Sequence, residues 1–243
     1  MFSTRVSRRG SAGVVEVAFT DRHGGVSATP FDSLDLGGAA GRERELKANA
    51  DKVAQALGVL RLTFMHQVHG REVTVVGSSA SPEDPCDAMV TNVSGVALCV
   101  RVADCVPVVL ADADKGVVGV AHAGRAGVAA KILDATVATM RTCGAEGIQA
   151  WVGPHVCGGC YEVPGGIRAE VSAVVPAAYS CTTWGTPALD LGVAASRQLR
   201  DRGCTVTDVG CCTLETSDLF SFRRDGEWSG RLAGIVVFSR TPA

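Results

Sequence analysis

Two histidines and one cysteine stand in short segments rich in glycine, alanine or proline. They are His69 in His66-Gln67-Val68-His69-Gly70, Cys105 in Ala103-Asp104-Cys105-Val106-Pro107, and His122 in Ala121-His122-Ala123-Gly124. Imidazole nitrogen and thiolate sulfur suit zinc. Three protein ligands leave a fourth tetrahedral position for water or substrate, the layout of a catalytic rather than a structural site. The separations are long and match no zinc-finger spacing, so convergence depends wholly on the fold. The competing reading is a surface histidine, a buried cysteine and a turn histidine with no common purpose. Asp104 could orient an imidazole from behind the ligands or serve only in a turn. Asp87 has the same two readings, as the support of a ligand histidine or as a turn cap.

The elements that must position these residues are legible from hydrophobic pattern. Val14 to Phe19 alternates as a strand, and Gly24-Gly25 breaks the chain after it. Leu46, Ala50, Val53 and Leu57 fall on one face of a helix over 42–57, with Gly58 as its stop. Val73 to Val76 and Ala88 to Thr91 are strand-like. Three short valine-rich runs follow, 96–102, 106–111 and 116–121, which fit buried strands, and Asp112 to Lys115 supplies a polar hairpin turn between the last two. A helix is predicted over 128–140, a strand over 148–152, a helix over 193–199 closed by Gly203, and a strand over 232–238. Single helices mixed with runs of adjacent strands argue for an α+β domain over regular βαβ winding. In this scheme His69 precedes a strand, Cys105 lies between two strands and His122 ends one, and strand ends are rigid places to hold a metal.

Bulk properties exclude several classes. The 243 residues are 47% apolar and 20% charged, which fits one globular domain, 1–243, with a sizeable core. A formal net charge of −2 with no long basic run favours neither nucleic acid nor an anionic membrane as partner. The first ten residues carry charge without an apolar stretch behind them, so they do not read as a secretory signal. No apolar run approaches the roughly 18 residues of a membrane helix, and the expected compartment is the cytoplasm. The ten cysteines are then expected to be reduced. Cys157-Gly158-Gly159-Cys160 has redox or zinc spacing without a second pair to complete a four-cysteine site, and is read as thiols in a tight turn. Cys211-Cys212 is read as a buried pair at a strand end.

Further residues could serve the site. Arg223 and Arg224 suit phosphate oxygens, or are solvated charges. Arg71, beside His69, is another phosphate candidate. His66 is a candidate general base or an ordinary histidine. Glu162 and Asp104 are further acid–base candidates, and Tyr161 and Glu162 could line a pocket.

With these motifs in hand, the chain resembles the YfiH or laccase-domain family, also called the multicopper polyphenol oxidase family. The resemblance rests on Gln67 to Gly70, Ala103 to Pro107, Ala121 to Gly124, Gly153-Pro154 with Tyr161-Glu162-Val163, Phe220 to Arg224, and Gly230-Arg231, in that order. It implies a YfiH-like α+β fold, a single domain of two mixed β-sheets packed together with helices outside. It implies His69, Cys105 and His122 as metal ligands, with Zn2+ as the cofactor and Cu2+ as the alternative. It also implies phosphorolysis of adenosine, inosine or methylthioadenosine with phosphate as partner, and deamination of adenosine, which needs a water activated for attack at C6. One departure stands out. Where the family often reads Trp-Arg after Ala-His-Ala-Gly, this chain has Arg125-Ala126, so Arg125 is the candidate substrate contact there. Three other functions stay open. They are a cysteine hydrolase or amidase using Cys105 with His122 as base, a copper-dependent polyphenol oxidase, and a non-enzymatic peptidoglycan-editing factor. Five histidines are few for a multicopper oxidase. Nothing in the sequence sets the oligomeric state.

Overall fold

Alternation lets three central strands serve two cores at once. The computed structural model describes residues 1–37, 41–78 and 80–240. The first half of the chain forms β1 (Phe2–Arg9), β2 (Gly13–Thr20), α1 (Glu43–Leu57), β3 (Leu62–Phe64), β4 (Val73–Val75), β5 (Ala88–Thr91), β6 (Ala97–Val102), β7 (Val106–Asp112) and β8 (Val117–Ala123). The second half forms α2 (Arg125–Ala129), α3 (Ile132–Thr142), β9 (Gln149–Val152), α4 (Gly165–Val174), β10 (Tyr179–Cys181), β11 (Pro187–Leu189), α5 (Leu191–Asp201), β12 (Thr205–Asp208), α6 (Phe222–Asp225) and β13 (Leu232–Arg240).

One sheet runs β1-β2-β13-β6-β3 and the other β12-β9-β7-β8-β5-β4, with β10 and β11 as a separate ribbon. Each large sheet is mixed. β3 is parallel to β6, β12 to β9 and β4 to β5, and the remaining neighbours are antiparallel. On β13, Leu232, Val236 and Phe238 face the core between the sheets, where they join Val15, Val17, Leu98 and Val100 of their own sheet and Met89, Val109, Val120 and Trp151 of the other. Ala233, Ile235 and Val237 face the opposite way, against Val53, Ala54 and Leu57 of α1. The second sheet does the same. Val108 and Leu110 of β7 and Ala121 of β8 pack under α3 and α5, whose contributions include Ile132, Leu133, Val137, Ala194 and Leu199. Strands covered on both faces explain why these runs are nearly all apolar in sequence. The chain is thus an α+β domain of two mixed sheets with helices outside.

Several sequence expectations shift. The helix expected over 128–140 is two helices, broken where Lys131 takes a left-handed φ of 61°. Val128 and Ile132 are both buried and four residues apart, so apolar spacing runs unbroken through the kink and hides it. β1 escapes a pattern search because it is an edge strand with charged residues on its open face, Arg5 pairing with Glu16 across the ladder at 2.8 Å. α4 buries Val171 alone and has little apolar stripe to find. Cys211 and Cys212 do not form a buried pair: Cys211 is exposed and Cys212 half-buried, beside a turn.

The segment between β2 and α1 is secured by Asn49, fully buried on α1. Its amide donates to Ser27 Oγ at 2.9 Å and to the Asp35 carbonyl at 2.8 Å, and its Oδ1 accepts from Val26 N at 2.8 Å. Asn49→Ala leaves these partners unsatisfied in a dry interior, and is expected to lower the unfolding free energy by about 3 kcal/mol in urea denaturation.

Candidate functional site

Strand direction brings the chemistry-bearing residues together. β8 runs antiparallel to β5 and β7, and β4 is parallel to β5. The starts of β4, β5 and β7 therefore lie at the same end of the sheet as the finish of β8. His69 lies just before β4, Asp87 just before β5, Cys105 just before β7, and His122 is the penultimate residue of β8. Register does the rest: Pro107 pairs with His122 and Ala88 with Ala121, which sets Cys105 and Asp87 on either side of His122.

One donor atom from each of His69, Cys105 and His122 lies within 4.8 Å of the others. The two imidazole rings meet edge to face with centroids 4.7 Å apart. Gly124 leaves the space among them, because a Cβ there would stand 2.8 Å from His69 Nδ1 and 3.2 Å from Cys105 Sγ. Three soft or borderline donors around a cleared volume form a cradle that could hold a metal, with a coordination position left open. His69 and Asp104 both have positive φ, 61° and 82°. Such backbone is uncommon outside glycine and persists where surroundings enforce it.

Asp87 does the enforcing at His69. Its carboxylate is fully buried and accepts from the backbone N–H of Val68 at 3.1 Å, His69 at 2.9 Å and Gly70 at 2.7 Å. The same group accepts from His122 Nδ1 at 2.8 Å. That bond places a His122 proton on Nδ1 and leaves Nε2 as the nitrogen available to a metal. Both readings of Asp87 from sequence thus hold, since it orients an imidazole and ties a turn. Burial works against its charge, yet the bonds from His122, Gly70 and Val68 outweigh burial and keep its pKa below the ordinary carboxylate value. Burial likewise pushes His122 down, but Asp87 and Cys105 overcome it and raise its pKa to about 9, so a metal at Nε2 takes the place of the second ring proton. His69 goes the other way. Burial, then the charges of His122 and Arg125, lower its pKa against the pull of Asp87, which favours the neutral, ligand-competent ring.

A cavity of about 500 Å³ opens over this group, lined by His66, Gln67, His69, Arg101, Cys105, His122, Phe222 and Arg231 among others. That volume accommodates a small metabolite. Arg101 and Arg231 were not singled out from sequence as site residues. Arg101 is the lone charge in the buried strand β6, which is the signal that would have found it. The Gln67 side chain clamps its backbone from both sides, with bonds of 2.8 and 3.0 Å. Arg231 is anchored through Nη1 to the carbonyls of Ser229 and Gly230, and lies 5.7 Å from the Phe222 ring centroid. Burial lowers its pKa, with Asp35, Cys105 and Asp104 opposing.

The other sequence candidates separate. His66 is exposed on the cavity wall. Asp104 is not bonded to an imidazole. Its carboxylate accepts from Thr213 Oγ1 and Arg223 N, both at 2.6 Å, which ties the 213–223 segment to the site. Arg224 is spent on structure, donating to the carbonyls of Thr213 at 3.0 Å and Leu219 at 2.7 Å and pairing with Asp225. Arg223 lies 4.9 Å from the Tyr161 ring centroid and donates to the Glu162 carbonyl at 2.9 Å. The Glu162 carboxylate accepts from Trp184 Nε1. Arg71 and Glu162 are exposed and outside the cavity lining. Arg125, the first residue of α2, is exposed, and its charge reaches both His69 and Tyr161.

Residues 16–239 match the sequence model of the family described as multi-copper polyphenol oxidoreductase laccase. A Streptomyces coelicolor protein named purine nucleoside phosphorylase is 47% identical over 239 residues, 95% of this chain and 98% of that protein. A Mycobacterium bovis protein of the same name is 40% identical over 96% of this chain and 98% of its own length. Among solved structures, a Neisseria meningitidis protein superposes with a TM-score of 0.82 at 28% identity, covering 97% of this chain and 99% of that one. The YfiH protein of Bacillus licheniformis superposes with a TM-score of 0.82 at 26% identity, covering 96% and 99%.

Two substitutions probe the cradle. Gly124→Ala is expected to lower the divalent metal retained after dialysis by one equivalent per chain, read by metal analysis, while far-ultraviolet circular dichroism stays unchanged. Asp87→Asn is expected to weaken metal affinity at the cradle roughly 10- to 100-fold in a competitive chelator titration, the usual effect of removing the partner that orients a ligand imidazole.

Proposed function

Because the chain belongs to the multi-copper polyphenol oxidoreductase laccase family, where close relatives are named purine nucleoside phosphorylase, we propose that it is a metal-dependent purine nucleoside phosphorylase. The observation that carries this reading is the shared cavity. His69, Cys105 and His122 open onto the same space as Arg101 and Arg231. A metal-ligand set beside two guanidinium groups suits an anionic oxygen nucleophile next to a centre of positive charge.

The metal assigned to the triad is zinc, since two imidazoles and one thiolate in an open set match its preferences. Zinc bound there supplies Lewis-acid charge at the cavity floor. Arg101 and Arg231 hold phosphate and aim it at C1′ of the ribose, so that phosphate oxygen joins C1′ as the bond from C1′ to the purine nitrogen breaks. His66, on the wall, carries the proton that the departing base takes up. The exposed Phe222 ring offers a face on which a purine stacks. Arg125, Tyr161 and Arg223 are assigned to the substrate side: the Arg125 charge acts on His69 and Tyr161, and Arg223 lies over the Tyr161 ring. Asp104 and Arg224 act through the loop they hold. Adenosine, inosine and methylthioadenosine are the proposed substrates, released as free base and ribose 1-phosphate or its methylthio analogue.

Multicopper chemistry has little to draw on. Of the five histidines, His23 pairs with Asp218 at 2.9 Å and His155 Nδ1 donates to the Gly153 carbonyl at 2.8 Å, which leaves too few for the histidine clusters such oxidases need. The cysteine-hydrolase reading has one point in its favour, the Cys105 thiol beside His122. The metal lost on Cys105→Ala separates the two, because tightly bound zinc occupies that thiolate.

Incubation of the zinc-loaded protein with each nucleoside, followed by chromatography, tests the proposal. Free base is expected only with phosphate present, and inosine from adenosine without phosphate would reveal deamination at the same site. Cys105→Ala is expected to remove the zinc of the triad, one equivalent per chain, and turnover together. Arg231→Ala is expected to raise the KM for phosphate roughly tenfold or more, the loss of one charge-assisted contact. Absence of any product from all three nucleosides overturns the phosphorylase reading.

A further inference from the structure

A second cluster of metal-ligating groups lies outside the cavity. Sulfur atoms of Cys157, Cys160 and Cys212 and a carboxylate oxygen of Glu215 all lie within 4.8 Å of one another. The four come from two loops. Cys157 and Cys160 flank the tight turn after β9, in which Cys160 N and Tyr161 N both donate to the Cys157 carbonyl, at 3.0 and 2.9 Å. Cys212 and Glu215 flank the turn after β12, closed by Thr216 N donating to the Cys212 carbonyl at 3.0 Å. A parallel bridge between His155 and Cys212 sets the two turns side by side. The backbone N–H of Cys157 donates to Cys212 Sγ at 3.4 Å, the kind of bond that supports a sulfur ligand's charge.

We propose that Cys157, Cys160, Cys212 and Glu215 form a structural site for a thiophilic divalent cation of the zinc class, separate from the cavity. The donor set carries the choice of ion. Three sulfurs and one oxygen are four ligands, the closed tetrahedral number for structural zinc, and no position is left for substrate. Tetrahedral zinc with Zn–S near 2.3 Å places sulfurs roughly 3.8 Å apart, so the present separations need only a small contraction. A disulfide is the competing use of a Cys-x-x-Cys pair. It would leave unexplained why a third thiol and a carboxylate from another loop close the same group.

The location gives the site a purpose. Tyr161 follows Cys160 directly, and Thr213, which donates to Asp104, follows Cys212 directly. A cation joining the two turns fixes the segments that lead into Tyr161 and into Thr213, the residue that bonds Asp104 beside Cys105. It cross-links segments over fifty residues apart in sequence, as a disulfide would.

The test uses the full chain, purified under reducing conditions and loaded with zinc. Wild-type protein is expected to hold one zinc that is lost in Cys157→Ser and kept in Cys105→Ala. A Cys157→Ser chain that retains the wild-type zinc content overturns the proposal. Loss of zinc in Cys105→Ala alone bears on the cavity site and leaves this one standing, so the two proposals fail separately. Wild-type protein supplies a measurement that needs no substitution. With zinc bound, Cys157 and Cys212 are expected to resist iodoacetamide and to become reactive together after chelation, while exposed Cys181 and Cys211 react in both states. Equal alkylation of Cys157 and Cys212 before and after chelation, or a Cys157–Cys160 disulfide in the peptide map of the native protein, overturns it.

Discussion

One buried carboxylate organises this end of the molecule. Asp87 accepts three consecutive backbone N–H groups of the loop carrying His69, and with the same two oxygens holds the ring of His122. A charge with no exposure is tolerable only when its lone pairs are filled, and here four donors fill them. The arrangement couples two requirements. The loop cannot relax from the left-handed conformation at His69 without stripping Asp87 of partners, and His122 cannot turn without doing the same. Rigidity of the cradle is therefore a by-product of keeping one carboxylate satisfied.

Around that group some arginines are held wholly by protein partners and others face the cavity. Arg224 is consumed by carbonyls and by Asp225, whereas Arg101 and Arg231 are braced through part of their hydrogen-bonding capacity and present themselves in the cavity. A guanidinium has five N–H donors, so one edge can be anchored while another meets a ligand. The fold uses the same residue type for both purposes within a few residues of each other, and the difference lies only in which carbonyls are near.

Much of this was readable before the structure. The valine-rich strands β6, β7 and β8, the hairpin turn between the last two and α1 with its Gly58 stop follow from the apolar pattern. The candidate triad followed from residue types beside glycine and proline. The illegible parts share physical causes. A kink at Lys131 leaves apolar spacing intact. The edge strand β1 has too few buried positions to show a pattern. Asp104 and Arg224 have side chains able to bind ligand or backbone equally well, and only the position of Thr213 and its neighbours decides. The joining of Cys157, Cys160, Cys212 and Glu215 depends on two turns that pack together from distant sequence. Arg101 could have been suspected, as a charge that a buried strand would not carry without cause.

The antiparallel run of β8 against its neighbours gives the sheet two unlike ends. At one, strand termini converge on His69, Asp87, Cys105 and His122. At the other lies the turn joining β7 and β8, closed by Asp112, whose Oδ1 accepts from the backbone of Asp114 and Lys115 at 3.1 Å. Seven residues of extended chain separate the two ends, about 23 Å. The turn end answers to packing: Asp112 Oδ2 also accepts from Glu146 N and Gly147 N, and Asp114 Oδ1 accepts from Ser11 N. The other end answers to the cradle.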